Sequence, residues 1–286
     1  MTTDLSRRIK NTYIHLSKNQ KKLANAITND YEKIAGMTAA RLGRYAGVSE
    51  STVVRFSKAL GYEKYADLQL GIEDLLRKKL TLNQRIDATK MRIYRRDIIE
   101  NVMKADINRL RNTMERLDKK VFSDSVNSII NARTIYIIGA RGSEALAKML
   151  QYNLSLIFDN VKFVLPSSTA EVFEQIYSVD SDDTLIAFCY PRYSSKVVNA
   201  VKYAKNKGAT VILFTDTEAS PPAEYASLLL LSQVDFASFM DSLVAPICII
   251  NALIIEITNR RESEIRRRFD SLERVWDEYG VYTKGK

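Results

Sequence analysis

Thr38-Ala39-Ala40-Arg41-Leu42-Gly43-Arg44-Tyr45-Ala46-Gly47-Val48-Ser49-Glu50-Ser51-Thr52-Val53-Val54-Arg55-Phe56 is the stretch on which the fold of this 286-residue chain turns. Its small and apolar positions are spaced for two short helices that cross closely at a tight turn. Gly43 is small where the helices touch, and Gly47 can take the positive φ of the turn. Val48, Val53 and Phe56 then fill the space between them. Ser49 is placed to cap the next helix, leaving its backbone N–H groups directed at whatever anion lies beyond. Such a helix can enter a DNA major groove with its N-terminal residues foremost. On a helical wheel Glu50, Ser51, Thr52, Arg55 and Lys58 avoid the apolar face of Val53, Phe56 and Leu60. Ser51, Thr52 and Arg55 suit base edges, while Arg44, Lys58 and Lys64 suit phosphates. The competing reading is a helical hairpin whose polar residues merely face water.

Charge distribution favours the first reading. Residues 1–120 hold 26 Lys/Arg against 14 Asp/Glu, a surplus of +12. Residues 121–258 hold 9 against 14, and 259–286 hold 8 against 6. A basic front end joined to a mildly acidic remainder suggests a module that meets a polyanion, double-stranded DNA above all. With 46% hydrophobic and 27% charged residues, the composition is that of a globular protein and excludes a disordered or collagen-like chain. The longest apolar run, Leu243 to Ile255, contains Pro246 and Asn251 and stops at Glu256. A membrane span needs about 20 apolar residues, so a buried core helix is expected and no membrane partner. The start, Met1-Thr2-Thr3-Asp4-Leu5, does not resemble a secretory leader. Cys189 and Cys248 each sit in apolar surroundings, as small hydrophobes of a reducing compartment do; a cytoplasmic protein is expected.

Beyond the opening stretch, residues 1–120 read as helical throughout. Leu23, Ala26, Ile27 and Ile34 recur at helical intervals behind Ser17, a candidate cap, and Gly61 suits a helix end. Further helices are expected from Tyr65 to about Lys79 and from Arg96 to Leu117. Polar stretches at Thr81–Lys90 and Ser123–Ala132 are candidate linkers. After Arg133 the pattern changes. Thr134–Ile138, Val161–Leu165, Thr184–Phe188, Ala209–Phe214 and Ser227–Leu231 are short continuous apolar runs separated by helix-length segments. That alternation predicts a five-stranded parallel sheet, flavodoxin-like, with helices on both faces. A core helix over Phe236–Thr258 and a charged tail helix over Glu262–Tyr279 complete the chain. Arg260-Arg261 and Arg266-Arg267-Arg268, interleaved with acids, suit a solvated helix or a subunit contact.

In an open parallel sheet, ligands sit beyond the carboxyl ends of the strands. Two loops there carry suitable chemistry. Gly139-Ala140-Arg141-Gly142-Ser143 joins a strand to a helix start, where glycines let the backbone approach an anion and Ser143 offers a hydroxyl. Tyr190-Pro191-Arg192-Tyr193-Ser194-Ser195-Lys196 repeats the arrangement, with Ser194 and Ser195 at the helix start. Arg141 and Arg192 share that rim, where guanidinium forks suit carboxylate or phosphate. The plainer alternative pairs each arginine with a local acid such as Glu144 or Glu171. A nicotinamide cofactor is not expected, because the dinucleotide fingerprint needs glycine where Arg141 and Glu144 stand. Thr215-Asp216-Thr217-Glu218-Ala219-Ser220-Pro221 reads as pocket wall.

No catalytic set emerges. The one histidine, His15, lies in the basic front end. Glu171 could serve as a base but reads better as a capping residue. No His/Cys cluster suggests a metal, and no cofactor is indicated.

Ala46-Gly47-Val48-Ser49-Glu50-Ser51-Thr52-Val53-Val54-Arg55-Phe56, followed by Leu60-Gly61-Tyr62, resembles the signature of the RpiR/MurR family of bacterial transcriptional regulators. The resemblance extends over nearly the whole chain. It implies an all-α helix-turn-helix domain (1–80), a helical linker (81–122), an α/β sugar isomerase, or SIS, domain (123–260) and a C-terminal helix (261–286). It further implies a homodimer or homotetramer that binds operator DNA and senses a phosphosugar or related small anion, a sugar acid or carboxylate included. In SIS domains the phosphate cradle resembles Ser-x-Ser-Gly-x-Thr; here only Ser194 and Ser195 keep its hydroxyls, and Arg141 stands where many SIS domains have glycine. The alternative function is a phosphosugar isomerase with a helical assembly domain.

Overall fold

The computed structural model describes residues 5–34, 36–79, 81–86, 97–236 and 238–283. The readings that fall on residues 1–4 and 87–90 lie outside them. The front end is a cluster of helices, α1 (Leu5–Thr12), α2 (Lys18–Ile34), α3 (Ala39–Ala46), α4 (Glu50–Ala59) and α5 (Tyr65–Lys79), with a 3-10 turn at Tyr13–His15. Ser17 begins α2 as expected: its N–H donates to Gln20 Oε1 at 3.0 Å, and the Gln20 N–H donates to Ser17 Oγ at 3.4 Å. Leu23, Ile27, Ile34, Leu42, Val53, Phe56, Leu60 and Leu68 bury their side chains in one shared core. Helices of eight or ten residues are unstable alone in water. Packing holds these, at about 1.5–3 kcal/mol for each large apolar side chain buried.

Two helices follow, α6 (Ile98–Arg116) and α7 (Lys119–Asn131). The second corrects an expectation, since Ser123–Ala132 is no linker. Asp118 caps α7, accepting from the N–H groups of Lys120 and Val121, and Val126 and Ile129 are buried. The serines that suggested a loop are bonded internally, Ser125 to Val121 O and Ser128 to Thr184 Oγ1, both at 2.8 Å.

The α/β part alternates β1 (Ile135–Gly139), α8 (Glu144–Ile157), β2 (Val161–Val164), α9 (Thr169–Ile176), β3 (Thr184–Phe188), α10 (Ser195–Asn206), β4 (Thr210–Thr215) and β5 (Leu228–Leu231). The strands form one parallel sheet in the order β2-β1-β3-β4-β5. Successive side chains point to opposite faces. Ile135 and Ile137 therefore join Leu146, Leu150, Val126 and Leu253 on one side. Tyr136 and Ile138 join Val172, Ile176, Val197 and Ala200 on the other. Both faces are covered, so β1 and β3 are buried at every position. Arg133 grips the buried carboxylate of Asp183 with two bonds, at 3.1 and 2.7 Å, just before β1 and β3 begin.

The core helix α11 (Val244–Arg260) starts later than Phe236. Residues 232–236 and 238–243 are irregular, apart from an antiparallel bridge between Phe236 and Asp241. Pro246 falls in the first turn of α11, where its missing N–H has no partner to lose. The tail helix α12 (Glu262–Glu278) is docked rather than free: Ile265 is buried, and Arg268 donates to Leu156 O and to Asp159, both at 2.7 Å. Among the described residues no helix is long and apolar enough to cross a membrane.

Candidate DNA-reading surface and ligand crevice

Thr38 caps α3, its hydroxyl oxygen accepting from the Arg41 N–H at 3.3 Å. The helix ends at Gly47, with φ +66°. A side chain there would sit in the left-handed region that L-residues avoid. Gly43 is required for a different reason: a Cβ on it would lie 2.9 Å from Val48 O and 3.3 Å from Glu50 N. The turn passes directly over it, and Val48 N–H donates to Gly43 O at 2.8 Å. Ser49 caps α4, accepting from the Thr52 N–H at 3.3 Å.

On α4 the expected outward residues divide. Ser51, Arg55 and Lys58 are exposed and fall on one helical face, with Arg44 and Lys64 exposed on the flanking elements. Thr52 departs from its expected role as a base contact. It is only 7% exposed, and its hydroxyl meets Ser49 Oγ at 2.9 Å. Ser49 Oγ also meets Ser51 Oγ at 3.0 Å, so the three hydroxyls form a chain across the first turn. Arg55 lies back along its own helix, Nε donating to Ser51 O at 3.4 Å. Tyr45, 41% exposed beside Arg44, was not singled out by sequence reasoning; a large aromatic at a helix position with no apolar period was the available signal. Not every basic residue faces outward to the same end. Arg8 packs over the Tyr62 ring at 4.4 Å and donates to Leu60 O at 2.7 Å, closing the end of α4.

The sheet order reverses between β1 and β3, and the expected ligand loops flank that switch, with Gly139 in register with Phe188. A Cβ on Gly139 would lie 2.5 Å from Ser143 O, so the first loop folds tightly over its own strand. Arg141 and Gly142 are exposed, whereas Ser143 is nearly buried at 9%. On the second loop Arg192 and Ser195 are exposed. Ser194 stands at the N-cap of α10, and its hydroxyl makes no capping bond. Arg141 and Arg192 both have left-handed backbones, φ +57° and +67°. Left-handed backbone costs a non-glycine residue about 1–2 kcal/mol and clusters at functional sites. Among the described residues no ion pair forms at either arginine. Glu144 instead pairs with Lys148 at 2.7 Å, and Glu171 closes a capping box with Ser168.

Beneath the rim, Tyr190 is buried with its hydroxyl 2.5 Å from Ser232 Oγ, and burial pushes its proton affinity up. Burial pushes the Cys189 thiol up to about 12. The Tyr193 hydroxyl donates to Asp216 at 2.8 Å, which ties the Thr215–Pro221 loop to the loop after β3. Lys196 joins two of these loops. Its Nζ donates to Pro166 O at 3.0 Å and to Ser167 O, tying the loop after β2 to the loop after β3. Hydrogen bonds from Ser167 and Ser168 hold the Glu171 carboxyl below its ordinary range. His15 is exposed in its 3-10 turn, and among the described residues no cluster of metal-ligating side chains is found.

A capped reading helix joined to an open parallel sheet defines a helix-turn-helix transcriptional regulator with a separate α/β module. Residues 3–79 match the helix-turn-helix domain of the rpiR family, and residues 128–256 match the SIS domain. The chain belongs to the RpiR family of regulators. It is 25% identical to the HTH-type transcriptional regulator HexR of Pseudomonas aeruginosa, over 94% of this chain and 95% of that one. An HTH-type regulator of Clostridium perfringens is 24% identical, over 74% and 76%. Among solved structures, Vibrio vulnificus NanR complexed with ManNAc-6P aligns with a TM-score of 0.61 at 18% identity, covering 98% of this chain and 100% of that one. The sugar isomerase domain of an RpiR factor from Sphaerobacter thermophilus aligns at 0.57 with 24% identity, covering 60% and 96%.

Proposed function

We propose that this protein acts in the cytoplasm as a non-catalytic, metabolite-responsive regulator of a metabolic operon. Residues 1–80 serve as the reading head, 81–122 as the linker, 123–260 as the sensor and 261–286 as a tail helix. The sensed molecule is a phosphosugar or a related small anion, such as a sugar acid or carboxylate. One observation carries the ligand reading: two arginines in left-handed backbone, for which no ion pair forms among the described residues, stand on the two loops that flank the switch point. Ser194 and Ser195 at the start of α10 supply hydroxyls for a phosphate, beside the unbonded N–H groups of a helix's first turn. Gly139, Gly142 and Ser143 shape the opposite wall. The complex of NanR with ManNAc-6P supports a phosphorylated sugar as the ligand class. Glu171, committed to its capping box, and a lone histidine in the reading head favour sensing over turnover.

A homodimer or homotetramer would place two reading heads on one duplex. Half-sites about 34–36 Å apart, or a multiple of that, follow from the helical repeat. Ser51 and Arg55 then face base edges, and Arg44, Lys58 and Lys64 face phosphates. Ser49 and Thr52 are retained as part of the DNA-facing turn, acting through the hydroxyl chain that orients Ser51.

A thermal-shift screen of phosphosugars, sugar acids and small carboxylates tests the sensor, since a specific ligand raises the melting temperature by mass action. Arg55→Ala should cost about 1–3 kcal/mol on operator DNA while leaving affinity for random duplex nearly unchanged, measured by fluorescence anisotropy at fixed salt. Equal loss on both duplexes would reduce Arg55 to a phosphate contact.

A further inference from the structure

Val54 stands on α4 one turn after Ser51, with its side chain 37% exposed. Its neighbour Val53 is buried in the core of the reading head. The helix thus packs one valine inside and leaves the other outside. Ser51, Val54, Arg55 and Lys58 occupy positions i, i+3, i+4 and i+7 of a single helical face, and all four are exposed. A β-branched residue is a poor helix former at such a position, where lysine or glutamate costs less. Valine there serves neither the helix nor the core. The polar residues of the face also lean away from it. Arg55 Nε donates to Ser51 O at 3.4 Å, and Arg55 Nη2 donates to Thr52 Oγ1 at 3.5 Å. Ser51 Oγ meets Ser49 Oγ at 3.0 Å. Both side chains turn towards the edge of α4 that carries Thr52, and Val54 occupies the opposite edge of the face.

Resting on the reading of α4 as the helix that enters the major groove, we propose that Val54 recognises the C5-methyl group of a thymine. The major-groove edges of the four base pairs present hydrogen-bond donors and acceptors and one apolar group, the thymine methyl. Ser51 and Arg55 can answer donors and acceptors. Val54 can answer neither, and against a polar base edge it would strip water without returning a hydrogen bond. Against a methyl group it removes apolar surface from water on both sides of the contact. Val54 therefore adds an apolar letter to the polar ones, read one turn in from the start of α4 and on the edge that Arg55 leaves open.

Duplexes selected by the full-length protein from a random-sequence pool supply the probe. Each thymine of the selected site is replaced in turn by deoxyuridine, which deletes the methyl and keeps the base pair, and affinity is read by fluorescence anisotropy at fixed salt. At one thymine position in each half-site, wild type should bind the deoxyuridine duplex about fourfold more weakly, the worth of one methyl-sized apolar group. Val54→Ala exchanges an exposed valine for a better helix former, so its melting temperature should match wild type. It should bind the thymine duplex at least about fourfold more weakly and no longer distinguish thymine from deoxyuridine at that position. Wild type indifferent to deoxyuridine at every thymine overturns the assignment, as does Val54→Ala that keeps the full deoxyuridine penalty. Either result, obtained on enriched duplexes, leaves α4 standing as the reading helix. A pool from which nothing is enriched overturns that reading and the role of Val54 together.

Discussion

Gly43 and Gly47 are four residues apart and glycine for different reasons, and substitution separates them. Gly43→Ala would drive a methyl into Val48 O and Glu50 N, backbone atoms that cannot swing aside. Overpacking of that kind costs about 1–3 kcal/mol. Gly47 has open space around it and only its backbone angle to satisfy, so Gly47→Asn should cost less than Gly47→Ala. Urea denaturation of the three variants tests that ranking. Both roles were legible in the sequence, because turn glycines leave a local signature. The left-handed backbones of Arg141 and Arg192 were not, since their type advertises charge and says nothing of φ. Arg141→Gly should relieve about 1 kcal/mol of strain and raise stability while weakening anion binding. Denaturation together with a phosphate thermal shift measures the two effects; a loss of stability would show that the arginine is held by contacts rather than imposed. Thr52 shows another limit. A wheel places it beside the solvent face, but Ser49 draws its hydroxyl inward.

At the scale of elements, apolar runs and caps located most of the helices and all five strands to within a residue or so. Errors fell where polar side chains take tertiary partners. Ser125 and Ser128 made α7 look like a loop, yet their hydroxyls bond within the helix and to β3. The opposite error came at Phe236–Leu243, apolar enough to read as helix. Asp241 and Ser242 there bond to Arg85 and Asp106, more than a hundred residues away in sequence, and the segment is spent on those contacts. Such long-range partners leave no mark in a local window. Asp118 tests the α7 correction. It accepts two N–H bonds at the helix start, so Asp118→Ala should cost about 1 kcal/mol in urea denaturation. A neutral result would mean the helix is held by burial alone.

For the molecule as a whole, acid should act through a few carboxylates. Hydrogen bonds from Arg268 hold Asp159 low, and the Asp182 backbone and Arg133 hold Asp180 low. Glu171 is likewise depressed. A group whose folded-state value is depressed contributes stability above its unfolded value and loses it as pH falls through the folded one. Stability should therefore hold from neutrality to about pH 5 and then decline. Asp241 runs the other way, burial raising it, so it takes its proton first. Urea midpoints between neutrality and strong acid check the sequence of events; a midpoint flat throughout would contradict it.

The order β2-β1-β3-β4-β5 has a consequence for synthesis. The interior strand β1 reaches its neighbour β3 only after α8, β2 and α9 have been made, and each later neighbour waits on another connection. The helices up to α5 close their own core without any of these. As the nascent chain emerges, the helix-turn-helix domain can close while the SIS domain is still unfinished. Every newly made molecule thus passes through an interval in which its helix-turn-helix end is folded and its α/β end is not.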